Sequence, residues 1–107
     1  SVGKGRVDTE IAGWDRFGNV ATLAPGDTLD RAGFARGDHV IVHAGAARHG
    51  ALLTHAFADV PRGDLMVHVD SHGWVAIAVN GGSAASVLSA EEGARLAVVR
   101  TTANPPS

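Results

Sequence analysis

From Val7 to Leu23 the chain alternates with a period of two. The odd positions read Val7, Thr9, Ile11, Gly13, Asp15, Phe17, Asn19, Ala21 and Leu23, and the even ones begin Arg6, Asp8, Glu10. Successive side chains of an extended strand point to opposite faces, so this pattern predicts a long half-buried strand, bent or bulged at Gly13 and Gly18. On such a strand Asp15, Phe17 and Asn19 share one face. A carboxylate, an aromatic plane and an amide in a row suit a planar heterocycle with a charged tail. The same five residues, 15–19, also fit a β-turn held by Asx hydrogen bonds, with Phe17 in the core.

The rest of the chain continues in short extended pieces. Residues 24–27 read as a turn, after which Asp27 or Thr28 is expected to N-cap a short helix through Leu29 and Ala32, stopped by Gly33. His39–His43 is a β-branched strand, 45–50 a turn, and Ala51–Phe57 its expected antiparallel partner. A turn at 59–64 precedes two strands, Leu65–Val69 and Trp74–Val79, joined across Ser71-His72-Gly73 as a tight hairpin. Residues 82–88 suit one helical turn, with Ser83 as its N-cap, and Arg95–Thr101 a closing strand. Many short strands with few helices predict an all-β fold: a small β-barrel or sandwich over residues 1–102, with 103–107 as a disordered tail.

Composition removes several functions. At 107 residues there is room for one domain. A net charge of −2 and 5% aromatic residues leave neither a basic footprint nor a stacking platform for nucleic acid. The absence of cysteine excludes disulfides, thiolate chemistry and cysteine-based zinc sites, and fits a reducing cytoplasm. No apolar run reaches the ~18 residues of a membrane span, and no signal-peptide pattern opens the sequence.

Six histidines invite a metal reading, but His39 and His43, four apart on one strand, would stand roughly 13 Å apart, too far to share an ion. His49 is expected in a turn, and His55 and His68 on different strands, so no metal site is predicted. Asp70, Ser71 and His72 are adjacent on an extended segment and point to opposite faces, which excludes a hydrolytic triad. Neither Gly3-Lys4-Gly5 nor Gly81-Gly82 has the spacing of a phosphate loop.

Taken together, three segments resemble one family. Asp15-Arg16-Phe17-Gly18-Asn19-Val20-Ala21-Thr22 is similar to the Asp-x-Phe-Gly-Asn-x-x-Thr motif of the S-adenosyl-L-methionine (SAM) hydroxide adenosyltransferases, SAM hydrolases related to the fluorinases and chlorinases. Phe57-Ala58-Asp59-Val60 resembles their Tyr/Phe-Ala-Asp-Val segment. Ser71 through Ala85 resembles their Ser-x-Gly-x-Leu-Glu-Ile-Ala-x-Asn-x-Gly-Ser-Ala-Ala signature. The matches fall in family order and cover only the family's C-terminal β-barrel domain. Leu23 replaces the usual Asn, Ala76 the usual Glu, and Val79 the halogenase-type Arg, which places the chain nearer the hydrolases.

The resemblance implies a small antiparallel β-barrel with one or two short helical turns. It also implies half of a ligand site, completed by a separate catalytic domain or by a neighbour in a homo-oligomer, a trimer in the family. By position, Phe17 and Phe57 would pack on adenine, Asn19 with the backbone around Gly81 would meet its edge, and Asn80 belongs to the same set of ligand-binding residues. Asp15 would pair with the methionine ammonium, and Ser71 with His72 would receive the carboxylate. SAM or adenosine is the expected ligand, with no further cofactor. The alternative is a stand-alone barrel turned to a biosynthetic cyclisation or isomerisation, with Asp15 and His72 as its first acid–base candidates.

Overall fold

The strands of this sequence close on themselves. A computed structural model describes residues 2–101. The strands are β1 (Val2–Gly3), β2 (Arg6–Trp14), β3 (Val20–Pro25), β4 (His39–Ala44), β5 (Ala47–Leu53), β6 (Leu65–Val69), β7 (Trp74–Val79) and β8 (Arg95–Arg100). Two short helices, α1 (Asp27–Arg31) and α2 (Ala84–Val87), and a 3₁₀ turn at Phe57–Asp59 complete the elements. The sheet runs β2-β3-β7-β6-β5-β4-β8, and β8 returns to β2 through the pairs Arg6↔Val99 to Glu10↔Arg95. The result is a closed seven-stranded barrel with β1 added beside β2. Closure removes the unpaired strand edges that a sheet of this size would otherwise expose. The expected tail, 103–107, lies outside the described residues.

The alternation read in the sequence fills the barrel. Val7 and Ile11 of β2, Val40 and Val42 of β4, Val67 of β6, Val75 and Ile77 of β7 and Val98 of β8 point inward and are almost wholly buried. Thr22 is buried among them because both of its hydrogen-bonding roles are met. Its Oγ1 donates to the Val75 carbonyl at 2.8 Å and accepts the Ala24 N–H at 3.1 Å. These bonds fall where the β3–β7 register slips between Ala21 and Pro25, so the hydroxyl replaces ladder bonds the irregularity removes.

One pair departs from the antiparallel pattern: β5 and β6 run parallel, Ala51 against Leu65. Parallel neighbours need a crossover, supplied by residues 54–64. That crossover puts Val60 over Met66 and Ala78 as a second small core on the outer face, with Leu52 at its margin. Phe57 therefore lies in the crossover's 3₁₀ turn and not on a strand, and His49 lies on β5, paired with Val42, because the β4–β5 turn is shorter than expected.

α1 ends at Gly33 (φ +86°) as expected, but no side chain caps its start. The N-cap is Gly26, fixed by a tertiary contact: its N–H donates to the Gly73 carbonyl at 2.7 Å, and a Cβ there would meet Val69 Cγ1 at 2.7 Å. Thr28 instead donates its hydroxyl to the Pro25 carbonyl at 2.6 Å. α2 follows the sequence closely, with Ser83 Oγ accepting the Ser86 N–H at 3.2 Å.

Thr22→Val keeps the volume but leaves a buried carbonyl and a buried N–H without their partner. It should lower stability by about 1–3 kcal/mol in urea titration, whereas Thr22→Ser, which keeps both bonds, should lose less.

Candidate functional site: a cleft between two aspartate turns

Asp15 does not continue the strand; it turns it. Its N–H donates to the Asn19 carbonyl at 3.1 Å, and Gly18 N–H donates to the Asp15 carbonyl at 3.0 Å. Oδ1 accepts the N–H groups of Phe17 (2.9 Å) and Asn19 (3.0 Å), and Oδ2 accepts Asn19 Nδ2 at 3.1 Å. The carboxylate is thus engaged on both oxygens. These bonds hold its pKa below the usual value, the Asn19 N–H contributing most, so Asp15 is an anion near neutral pH.

The strand parity that put Asp15, Phe17 and Asn19 on one face is broken by this turn, and the bulge sits at Ile11–Gly13. Phe17 is 66% exposed, so it is no core residue, and the Arg16 guanidinium lies 5.0 Å from its ring centroid. Gly18 takes φ +85°, and a Cβ on it would come within 2.8 Å of Ser83 Cα. That approach docks the turn on the segment after β7, where Ala85 N–H donates to the Gly18 carbonyl at 2.9 Å.

The β6–β7 hairpin repeats the design. Asp70 N–H donates to the Trp74 carbonyl at 2.8 Å and Gly73 N–H to the Asp70 carbonyl at 3.0 Å, with Gly73 at φ +88°. Asp70 Oδ1 accepts the N–H groups of His72 (2.9 Å) and Trp74 (3.0 Å). The difference lies in the second oxygen. Where Asn19 fills Oδ2 of Asp15, Trp74 stands at the matching position, and among the described residues no hydrogen bond reaches Oδ2 of Asp70.

Between the two turns runs a cleft of about 700 Å³ on the outer face of β2, β3, β7 and β6. Its floor is low because Gly13, Ala21 and Ala76 stand side by side in register, with His68 next in the row. Trp14, Asp15 and Asn19 line one end, and Asp70, Ser71 and His72 line the other. Val20 pairs with Ile77 and Pro25 with Trp74, so the two turns are at opposite ends of the β3–β7 pair. Three residue steps along β7 separate those rungs, roughly 10 Å at ~3.3 Å per residue.

Four of the predicted residues, Asp15, Asn19, Ser71 and His72, line this one cleft. The other four gather beside its Asn19 end. Asn80 Nδ2 donates to the carbonyls of Val60 (2.6 Å) and Phe57 (3.3 Å), which ties the Phe57 turn to the Asn80–Gly81 turn. Phe57 is 48% exposed there, and the segment that follows Gly81 carries the contact with the Gly18 turn. Asp15 and His72, the acid–base candidates, sit at opposite ends, and no hydrogen bond joins them.

Trp14, His55, His68 and Asp70 also line the cleft; the sequence did not single out Trp14, and it weighed His55 and His68 only as metal ligands and Asp70 only as a triad member. Asp70 had a signal: both turns read Asp-x-x-Gly-x. The His68 imidazole is held below its ordinary pKa chiefly by burial, and its Nε2 is enclosed without a partner.

The fold and site define a small closed β-barrel with a groove lined at both ends by polar turns. The family model for the SAM hydroxide adenosyltransferase C-terminal domain matches residues 9–97, and the chain belongs to that family. It is 44% identical over 89 residues to an (R)-S-adenosyl-L-methionine hydrolase of Salinispora tropica, covering 83% of this chain and 31% of that protein. The corresponding enzyme of Salinispora arenicola is 42% identical over the same share of each chain. The chain therefore spans about a third of the length of these relatives. Among solved structures, an uncharacterized conserved protein from Thermotoga maritima superposes with a TM-score of 0.88 at 40% identity, covering 92% of this chain and 38% of that one. A conserved hypothetical protein from Thermus thermophilus gives a TM-score of 0.63 at 33% identity over 86% of this chain and 34% of that one.

The depressed pKa of Asp15 fixes a pH dependence. A carboxyl whose folded pKa lies below its unfolded value stabilises the fold above the unfolded pKa, about 3.9, and loses that contribution as pH falls through the folded value. Asp15→Ala should therefore be less stable than the parent at pH 7. The gap should narrow on acidification below about pH 4, as followed by thermal unfolding across a pH series.

Proposed function

We propose that this barrel binds SAM, or a ligand built on adenosine, along the cleft, as one half of a site that another domain or subunit completes. The observation that carries the reading is the polarity of the cleft. The Asn19 amide lines one end, with two exposed aromatic residues, Phe17 and Phe57, beside it, and Ser71 and His72 line the other. Asn19 commits its Nδ2 to Asp15, which leaves Oδ1 to accept from the exocyclic amine of adenine. Phe17 and Phe57 offer faces for the base, and Ser71 with His72 donors for a carboxylate.

Trp14, at 49% exposure, and Phe17 and Phe57 form apolar surface at the nucleoside end, which a covering domain or a second protomer would bury. The SAM hydrolase activity of the longer relatives would arise in such an assembly. By the same reading the protein works in the cytoplasm, a compartment that suits its cysteine-free sequence.

Alone, an open half-site leaves much of the ligand in water, so affinity should be low, with Kd on the order of 10⁻⁴ M, about −5.5 kcal/mol. Calorimetric titration should give a saturable response to adenosine and one about tenfold weaker to inosine, which presents a carbonyl where Asn19 Oδ1 needs a donor. Asn19→Ala should erase that preference. The absence of heat with both adenosine and SAM at millimolar concentration would overturn the reading.

A further inference from the structure

Resting on the proposed function, we infer that Asn80 is a positioning residue: without touching the ligand, it holds the crossover so that Phe57 presents its ring to the base. The crossover, residues 54–64, needs such a hold. Phe57 opens a 3₁₀ turn of three residues that buries none of its side chains and has no side-chain cap. Its ring is half exposed, so packing does not fix it. The buried anchor just after the turn is Val60, packed on Met66 and Ala78.

Asn80 supplies the rest. It follows β7 with the parity of Ala76 and Ala78, which puts it on the outer face where the crossover lies. A primary amide has two N–H hydrogens, and Asn80 finds an acceptor for each, the carbonyls of Val60 at 2.6 Å and Phe57 at 3.3 Å. Its main chain is spent on the same segment. The Asn80 N–H donates to the Asp64 carbonyl at 3.1 Å, and its carbonyl accepts the Gly63 N–H at 2.8 Å. The Phe57 carbonyl also accepts the Val60 N–H at 3.0 Å, so the tether and the turn close on one oxygen. A base that stacks on a ring already in place gains the contact at once. With the tether cut, ordering the crossover becomes a cost of binding.

The test is a double-mutant cycle read by calorimetric titration with adenosine. Asn80→Ala should weaken adenosine binding about fivefold. Asn80→Asp, which keeps the size but sets an oxygen against the two carbonyls, should do the same. Phe57→Ala should weaken binding about tenfold. Because Asn80 acts through Phe57, the double variant should bind within about twofold of Phe57→Ala alone. The preference for adenosine over inosine, set by Asn19, should survive Asn80→Ala. Amide hydrogen exchange over residues 57–60 should quicken in Asn80→Ala, while that of β2 stays as in the parent.

Losses that multiply in the double variant, or an adenosine preference lost with Asn80, mean that Asn80 meets the ligand itself and overturn the inference. Unchanged affinity or unchanged exchange in Asn80→Ala overturns it too. Each of these results leaves the ligand reading standing, because the parent still binds. No binding of adenosine by the parent removes both.

Discussion

A carboxylate that accepts backbone N–H groups two and four residues ahead is the interaction on which this structure depends. It occurs at Asp15 and again at Asp70, each time with a glycine at positive φ three residues on. Each turn sets the register of a hairpin, and a one-residue slip would exchange the inward and outward faces of both strands. The inward set is the core, and the outward set includes the small residues of the cleft floor. Core and cleft are therefore specified by the same two side chains.

The cleft itself is made by omission. Gly13, Ala21 and Ala76 occupy neighbouring outward positions, where larger residues would fill the groove. Polar function is left to the turns, where the backbone is already held and side chains can be aimed without disturbing the barrel. Asp15 and Asp70 build the same turn and differ at the second carboxylate oxygen, which accepts Asn19 Nδ2 in the first and has Trp74 at the matching position in the second.

Much of this was legible in the sequence, for identifiable reasons. The 65–79 hairpin was plain because two short apolar runs flank a glycine turn, and α2 was plain because Ser83 sits where an N-cap must. Asp15–Asn19 carried two readings: the odd-position rhythm of β2 runs on into Ala21 and Leu23 and suggested a strand, while the Asx-held turn is the one the structure shows, without the core place for Phe17. Asp15 and Gly18 marked the reversal, but in a chain with 14 glycines that punctuation is weak. The start of α1 was misplaced because its cap is decided by a contact with Gly73, remote in sequence. The parallel β5–β6 pair was hidden for the same reason. Of the site, motif residues with side chains near a turn were found, whereas Trp14, His55 and His68 enter the cleft only through tertiary neighbours.

The seam between β2 and β8 carries a further consequence. It joins the first long strand to the last, so the hairpins between them can form early while the cylinder stays open. Contacts between segments so distant along the chain are slow to establish, because the intervening chain must be ordered before they repay the cost. During synthesis, β2 must wait with one flank unsatisfied until β8 emerges from the ribosome. Loss of the final strand, by truncation or premature termination, would leave that flank exposed to strands of other molecules.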